Sequence, residues 1–124
     1  MDIEHQKFLF EQFAFLRPKE NDDTPLKVYG IECGDGWLGV ITKLCRKIES
    51  LNMRNFQVTQ IKEKFGTICF YFENAPKRKL ARIIEYTNEA QADSGRTCEV
   101  CGAPGRLKKT KWLILTRCSY CTNK

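Results

Sequence analysis

Two Cys-x-x-Cys pairs, Cys98/Cys101 and Cys118/Cys121, stand sixteen residues apart near the end of a 124-residue chain. No other feature constrains the fold as strongly. The spacing falls inside the zinc template of two knuckles separated by about 15–20 residues. Thiolates two residues apart reach one ion from a tight turn, and two such turns complete a tetrahedron. Four protein ligands leave no position open for water or substrate, so the expected role is structural, with one Zn²⁺ held by Cys98, Cys101, Cys118 and Cys121. A disulfide framework needs an oxidising compartment. A thioredoxin-like redox motif uses one pair at a strand-to-helix junction, not two. Iron is the alternative metal for a tetrahedral all-sulfur site. Gly102 follows the second ligand, where a knuckle turn favours a residue that tolerates positive φ.

The hydrophobic patterning upstream predicts an α+β body. A dense apolar run predicts a helix over 3–16, stopped by Pro18, and then a polar loop over 19–25. Trp37, Ile41, Leu44, Ile48 and Leu51 recur at helical spacing and predict a helix over 36–52, with Asp35 as its N-cap. Two strand-like runs joined at Phe65-Gly66 predict a hairpin over 56–73. Ile61 falls out of phase with Phe56 and Val58, which calls for a bulge near Thr59-Gln60. A fourth element, a helix over 75–94, is expected to be capped by Asn74, to carry Leu80, Ile83, Ile84, Thr87 and Ala90 on its apolar side, and to end at Gly95. A hairpin with its tip near Lys109-Thr110-Lys111 should extend from the metal. The fold class is therefore α+β, with helices packed on a β-hairpin and a C-terminal zinc-ribbon-like module of four cysteine ligands. Residues 1–95 would form the body and 96–124 the zinc-binding module docked on it.

Composition narrows the function. The chain is 42% hydrophobic with eight Phe, enough for a core. No stretch approaches 18 uninterrupted apolar residues, and the first residues lack the basic start of a signal peptide. An intracellular, cytoplasmic protein is expected, with Cys33, Cys45 and Cys69 as buried thiols. The single histidine, His5, reads as a surface helix residue. Glu32 and Asp35 flank Cys33, but Asp35 is better used as a cap. Gly34-Asp35-Gly36 lacks the Lys-Ser/Thr of a phosphate loop. No catalytic residue is assigned, and the expectation is a protein that is not an enzyme.

Charge is uneven. Residues 1–75 carry ten Lys/Arg against eleven Asp/Glu, and residues 76–124 carry eleven against four. A polyanion is one partner that such a basic segment fits. The candidate contact residues are Lys77, Arg78, Lys79 and Arg82 on the last long helix, and Arg106, Lys108, Lys109, Lys111 and Arg117 around the zinc hairpin. Trp112 is expected to pack against the zinc site, with a stacking platform for bases as its alternative.

From Gly30 to Cys121 an ordered set of motifs resembles a family of small uncharacterised zinc-knuckle proteins frequent in phages and prophages. The set comprises Cys33-Gly34-Asp35-Gly36-Trp37, Ile61-Lys62-Glu63-Lys64-Phe65-Gly66, Phe70-Tyr71-Phe72, Thr97-Cys98-Glu99-Val100-Cys101-Gly102-Ala103-Pro104-Gly105, Trp112 and Thr116-Arg117-Cys118. The family pattern often has histidine where this chain has Cys121, and either residue ligates zinc. The first 29 residues lie outside the resemblance. It implies a phage setting and brings no established activity with it. Together these readings predict a non-enzymatic, zinc-stabilised phage-type protein that binds nucleic acid or a nucleoprotein complex. The alternative is a protein-binding inhibitor of a host defence complex, such as a CRISPR effector, or of a transcription complex.

Overall fold

The apolar stripe from Trp37 to Ile48 forms the spine of the core. Trp37, Ile41, Leu44, Cys45 and Ile48 are all closed to solvent. A 3-10 turn at Asp35–Trp37 leads into helix α3, Leu38–Glu49. The helix stops short of the expected 52, and Asn52 takes φ +50° at the exit. The computed structural model describes residues 1–122; the last two residues of the expected module, 123 and 124, lie outside the described residues.

Around this spine the chain is α+β. Helix α1, Ile3–Gln12, is capped by Asp2, whose carboxylate accepts from the Glu4 N–H at 2.8 Å. It is shorter than the expected 3–16. Phe13 is extended, and Ala14–Leu16 forms a separate 3-10 turn. Ring packing supplies the reason. On one unbroken helix Phe13 and Phe15 would point to opposite sides, since residues two apart do not share a face. The break brings them together, with ring centroids 5.7 Å apart, and lets Phe15 meet Phe56 edge-on at 5.6 Å.

Part of the expected loop is helix α2, Pro25–Tyr29. Thr24 accepts from the Lys27 N–H, Pro25 stands at the first helical position, and Gly30 ends the turn at φ +69°. Those three residues are the start and stop signals of a helix, but five residues are too few for periodicity to show.

Strands β1, Gln57–Lys64, and β2, Thr67–Glu73, pair antiparallel across the Phe65-Gly66 turn, with both turn residues at positive φ. The register slips between Val58 and Gln60, where a bulge was expected. The slip puts both Val58 and Ile61 into the core, each 0% exposed. Glu32 adds a parallel bridge beside β1, donating its N–H to Ile61 O and accepting from Glu63 N–H.

Helix α4, Lys77–Ser94, lies across α3 and β2. Ile83 and Ala90 are buried, but Leu80 and Ile84, expected on the apolar side, are well exposed. The inward stripe is narrower than the sequence implied, because only α3 and the hairpin cover it. Asn74 makes no cap; it takes φ +63°, and Pro76 precedes the first turn without a side-chain bond. Gly95 stays at φ −70°, and further tight turns through Arg96 and Thr97 carry the chain into the zinc module. Cys33 and Cys45 are buried as expected, while Cys69 is half-buried on the hairpin. Strands β3, Arg106–Lys109, and β4, Ile114–Arg117, and the short helix α5, Ser119–Thr122, complete the fold. No helix among the described residues is long and apolar enough to cross a membrane.

Candidate metal centre

The sulfurs of Cys98, Cys101, Cys118 and Cys121 all lie within 4.8 Å of one another, and none is in a disulfide. Cys101 Sγ and Cys118 Sγ are 3.6 Å apart. A tetrahedron of bonds near 2.3 Å sets sulfurs about 3.8 Å apart. The four thiols fit one structural zinc ion, and they fill all four positions.

Backbone bonding shapes each knuckle before any ion is considered. In the first, Gly102 donates to Cys98 O at 2.9 Å and Cys98 donates to Ala103 O at 2.8 Å, with Gly102 at φ +82°. In the second, the Cys121 N–H points at Cys118 Sγ from 3.4 Å. Burial would raise the Cys98 thiol, but backbone N–H groups of Cys101, Cys118 and Val100 outweigh it and bring it down to about 6. Cys118 is also lowered, first by the N–H of Cys121. Burial pushes Cys121 up to about 12. Each knuckle thus holds one thiol shifted toward its ionised form, and zinc displaces the remaining protons on binding.

The centre is tied to the body through the Gly34-Asp35-Gly36-Trp37 segment. The Gly36 N–H donates to Glu99 O at 2.8 Å. The Gly34 N–H donates to Glu99 Oε2 at 2.9 Å. Trp37 Nε1–H donates to Thr97 O at 2.8 Å. A Cβ on Gly36 would collide with Cys98 O and sit 2.6 Å from the Gly102 N. Only glycine permits that approach. On the other side Thr116, fully buried, donates its hydroxyl to Gly66 O at 2.5 Å, and its own carbonyl accepts from Glu99 N–H. Glu99 and Thr116 stand in the sequence motifs only as neighbours of the cysteines, and the joint they make with the body is not assigned there. Nothing local marks them, since their partners are 65 and 50 residues away.

Asp35 has a different role from the cap expected of it. Its carboxylate accepts from the Asp2 N–H at 2.7 Å and meets His5 Nδ1 at 2.8 Å. The His5 and Asp2 hydrogen bonds hold it below the usual aspartate range. His5, read as a plain surface residue, is one half of this pair. Elsewhere, burial pushes the Cys33 thiol up to about 12 and raises Cys45. Both are therefore protonated packing groups rather than nucleophiles.

The basic candidates fall into two groups that the fold keeps apart. Lys77, Arg78, Lys79 and Arg82 occupy the start of α4, and its far end leads into the zinc module. The helix rise separates Lys77 from Ser94 by about 26 Å. Lys79 is also engaged, donating to Leu51 O, and Arg82 lies near Glu85. Arg106, Lys108, Lys109, Lys111 and Arg117 instead cluster on the β3–β4 hairpin, and none of them forms an ion pair among the described residues. Trp112 does not pack against the metal site. It is 83% exposed at the hairpin tip, with Lys111 Nζ 5.1 Å from its ring centroid. Thr110 closes the turn there on Leu113, accepting from its N–H and bonding its carbonyl. No family model, curated protein or solved structure matches this chain.

Proposed function

We propose that this chain is a non-enzymatic, zinc-stabilised binding protein whose β3–β4 hairpin engages nucleic acid. The exposed tip carries the reading. An indole that is 83% open to solvent, with an ammonium beside it, stands on a strand pair rich in Lys and Arg that form no ion pair among the described residues. Single strands are held by this combination of cations along the backbone and aromatic faces under the bases. The zinc centre supplies rigidity. A short hairpin is marginal by itself; here β3 leaves one metal-binding knuckle and β4 runs into the other.

The test titrates the zinc-loaded protein with single- and double-stranded DNA and RNA between about 50 and 200 mM salt. Affinity should fall steeply with salt. Trp112→Ala should weaken single-strand binding by about 1–3 kcal/mol and leave the melting temperature unchanged. Absent binding at low salt, or binding insensitive to salt, rejects the reading.

A protein partner, such as the host defence or transcription complex that a phage setting implies, has support from a different surface. Ile3, Val28 and Tyr29 on the first two helices are exposed at 76%, 59% and 70%. Capture of one stoichiometric partner after nuclease treatment, lost in Val28→Ser/Tyr29→Ser, favours that second reading.

A further inference from the structure

The pleat of the zinc hairpin sorts its side chains. Arg106 pairs with Arg117, Leu107 with Thr116, and Lys108 with Leu115. Directly opposed residues share a face and neighbours along a strand do not. Leu107 and Thr116 take the inner face, against Gly66 of the β1–β2 turn. Arg106, Lys108 and Arg117 share the outer one. Like charges opposite each other in a ladder are unfavourable, yet two arginines stand opposite here without a carboxylate at ion-pair distance among the described residues.

The outer face is not flat. Arg106, Lys108 and Arg117, with Gly105 and Ser119, line a depression of about 460 Å³. That is in the range of small-ligand sites, and no acidic residue among the described residues lines it. Arg117 Nε lies buried beside it, without a hydrogen-bond partner among the described residues. A buried charged donor left unpaired costs the full desolvation penalty. Glu99, the acid that the Arg117 charge reaches, has its carboxylate turned to the Gly34 N–H instead. One opposing charge must be faced. Cys118 also lines the depression, and a zinc ion with four thiolates carries two net negative charges. Three cations at the rim exceed that demand.

We infer that this depression is a phosphate-binding pocket, with Arg117 as its anchor and Arg106 and Lys108 closing around the oxyanion. Guanidinium groups match phosphate oxygens by paired N–H donors, and an ammonium adds a point charge. The inference deepens the proposed function and rests on it only for the source of the phosphate. Free phosphate and the phosphates of a strand share the chemistry.

The experiment follows the Arg Nε–Hε signals of the full zinc-loaded chain during titration with inorganic phosphate, 5′-phosphorylated oligothymidylate and its 5′-hydroxyl form. A saturable shift of the Arg117 signal with inorganic phosphate is expected. Arg117→Gln, and separately Arg106→Gln and Lys108→Gln, should each weaken phosphate binding by about tenfold, the loss of one charge-assisted hydrogen bond. Arg54→Gln, at an exposed position outside the pocket, should not. The last two pocket variants alter exposed or half-exposed side chains, so they keep the test alive if Arg117→Gln fails to fold. A phosphate shift without oligonucleotide binding keeps the pocket and rejects the nucleic-acid reading. Oligonucleotide binding undiminished in all three variants overturns the pocket and keeps that reading. No shift of Arg117 with phosphate, together with zinc loss in Arg117→Gln, also overturns it and assigns the cations to balancing the thiolates.

Discussion

In the body, side chains from Leu9 to Ala90 close against one another, with Phe13, Trp37, Ile61 and Ile83 at 1% exposure or less. In the zinc module only Cys98, Thr116 and Cys121 reach burial among the described residues, and two of those three are metal ligands. The contrast separates two ways of ordering a chain. The body is built around a closed apolar core that takes its side chains out of water. The module is too short for that and relies on a metal and on hydrogen bonds to the body, as small scaffolds do. Its Trp112, Leu107 and Leu113 stay exposed at 50% or more. An order maintained by zinc frees the apolar and basic side chains of the hairpin for contact with something else.

Removing the metal is the largest way to test this contrast. Chelation, or Cys98→Ser with Cys121→Ser, should melt residues 96–122 while the α3, α4 and β1–β2 amides keep their hydrogen-exchange protection. Structural zinc supplies about 10–16 kcal/mol of apparent binding energy at neutral pH. A metal-free protein in which those C-terminal amides stay protected would show that the module orders itself. Next in size is the joint between the regions. Gly36→Ala drives a methyl group into Cys98 O, and the strain should cost about 3 kcal/mol, read from denaturant unfolding. Gly39→Ala, just inside helix α3, meets nothing within 4 Å and should instead stabilise by about 0.5–1 kcal/mol. Equal effects at the two glycines would mean that the joint carries no load. Trp37→Phe keeps the ring in the core but deletes the bond to Thr97 O. It should cost about 1–3 kcal/mol, with zinc affinity falling in parallel.

The smallest effect lies at the N-terminal side. The Asp35 carboxyl is depressed in the folded state by His5 and the Asp2 N–H. It therefore contributes stability above the ordinary aspartate range, near pH 4, and loses it as the pH falls through the folded value. Asp35→Asn should be slightly less stable than the parent near neutrality, and the gap should close in acid. The pair is exposed on both sides, so screening keeps the effect small. A gap that persists at low pH would assign it to packing rather than charge.

Elements defined by their own periodicity were legible in advance. The α3 stripe, the β1–β2 hairpin with its bulge and the β3–β4 hairpin stand close to where the pattern put them, because burial on one face writes itself into the sequence at period 3.6 or 2. Two of the departures involve a partner outside the local pattern. Helix α1 ends at Gln12 so that Phe15 can meet Phe56. Asp35 leaves the helix start to bind Asp2 and His5. At the hairpin tip the bonding is local, Thr110 to Leu113, and Trp112 stands exposed where packing on the zinc site was expected. The proline, threonine and glycine around α2 did carry its boundaries, but a helix of five residues has no stripe to read.

The metal centre belongs with the legible part. Ligand type and spacing are local properties, and two residues between thiols suffice to fix a knuckle. Which residues carry that knuckle is another matter. Gly36, Glu99 and Thr116 meet only when the chain has folded, and the basic candidates become two clusters only because α4 holds their members at opposite ends. Sequence determined that zinc binds and where. Tertiary structure alone decided which face of the hairpin is left open, because that depends on which side the body has already covered.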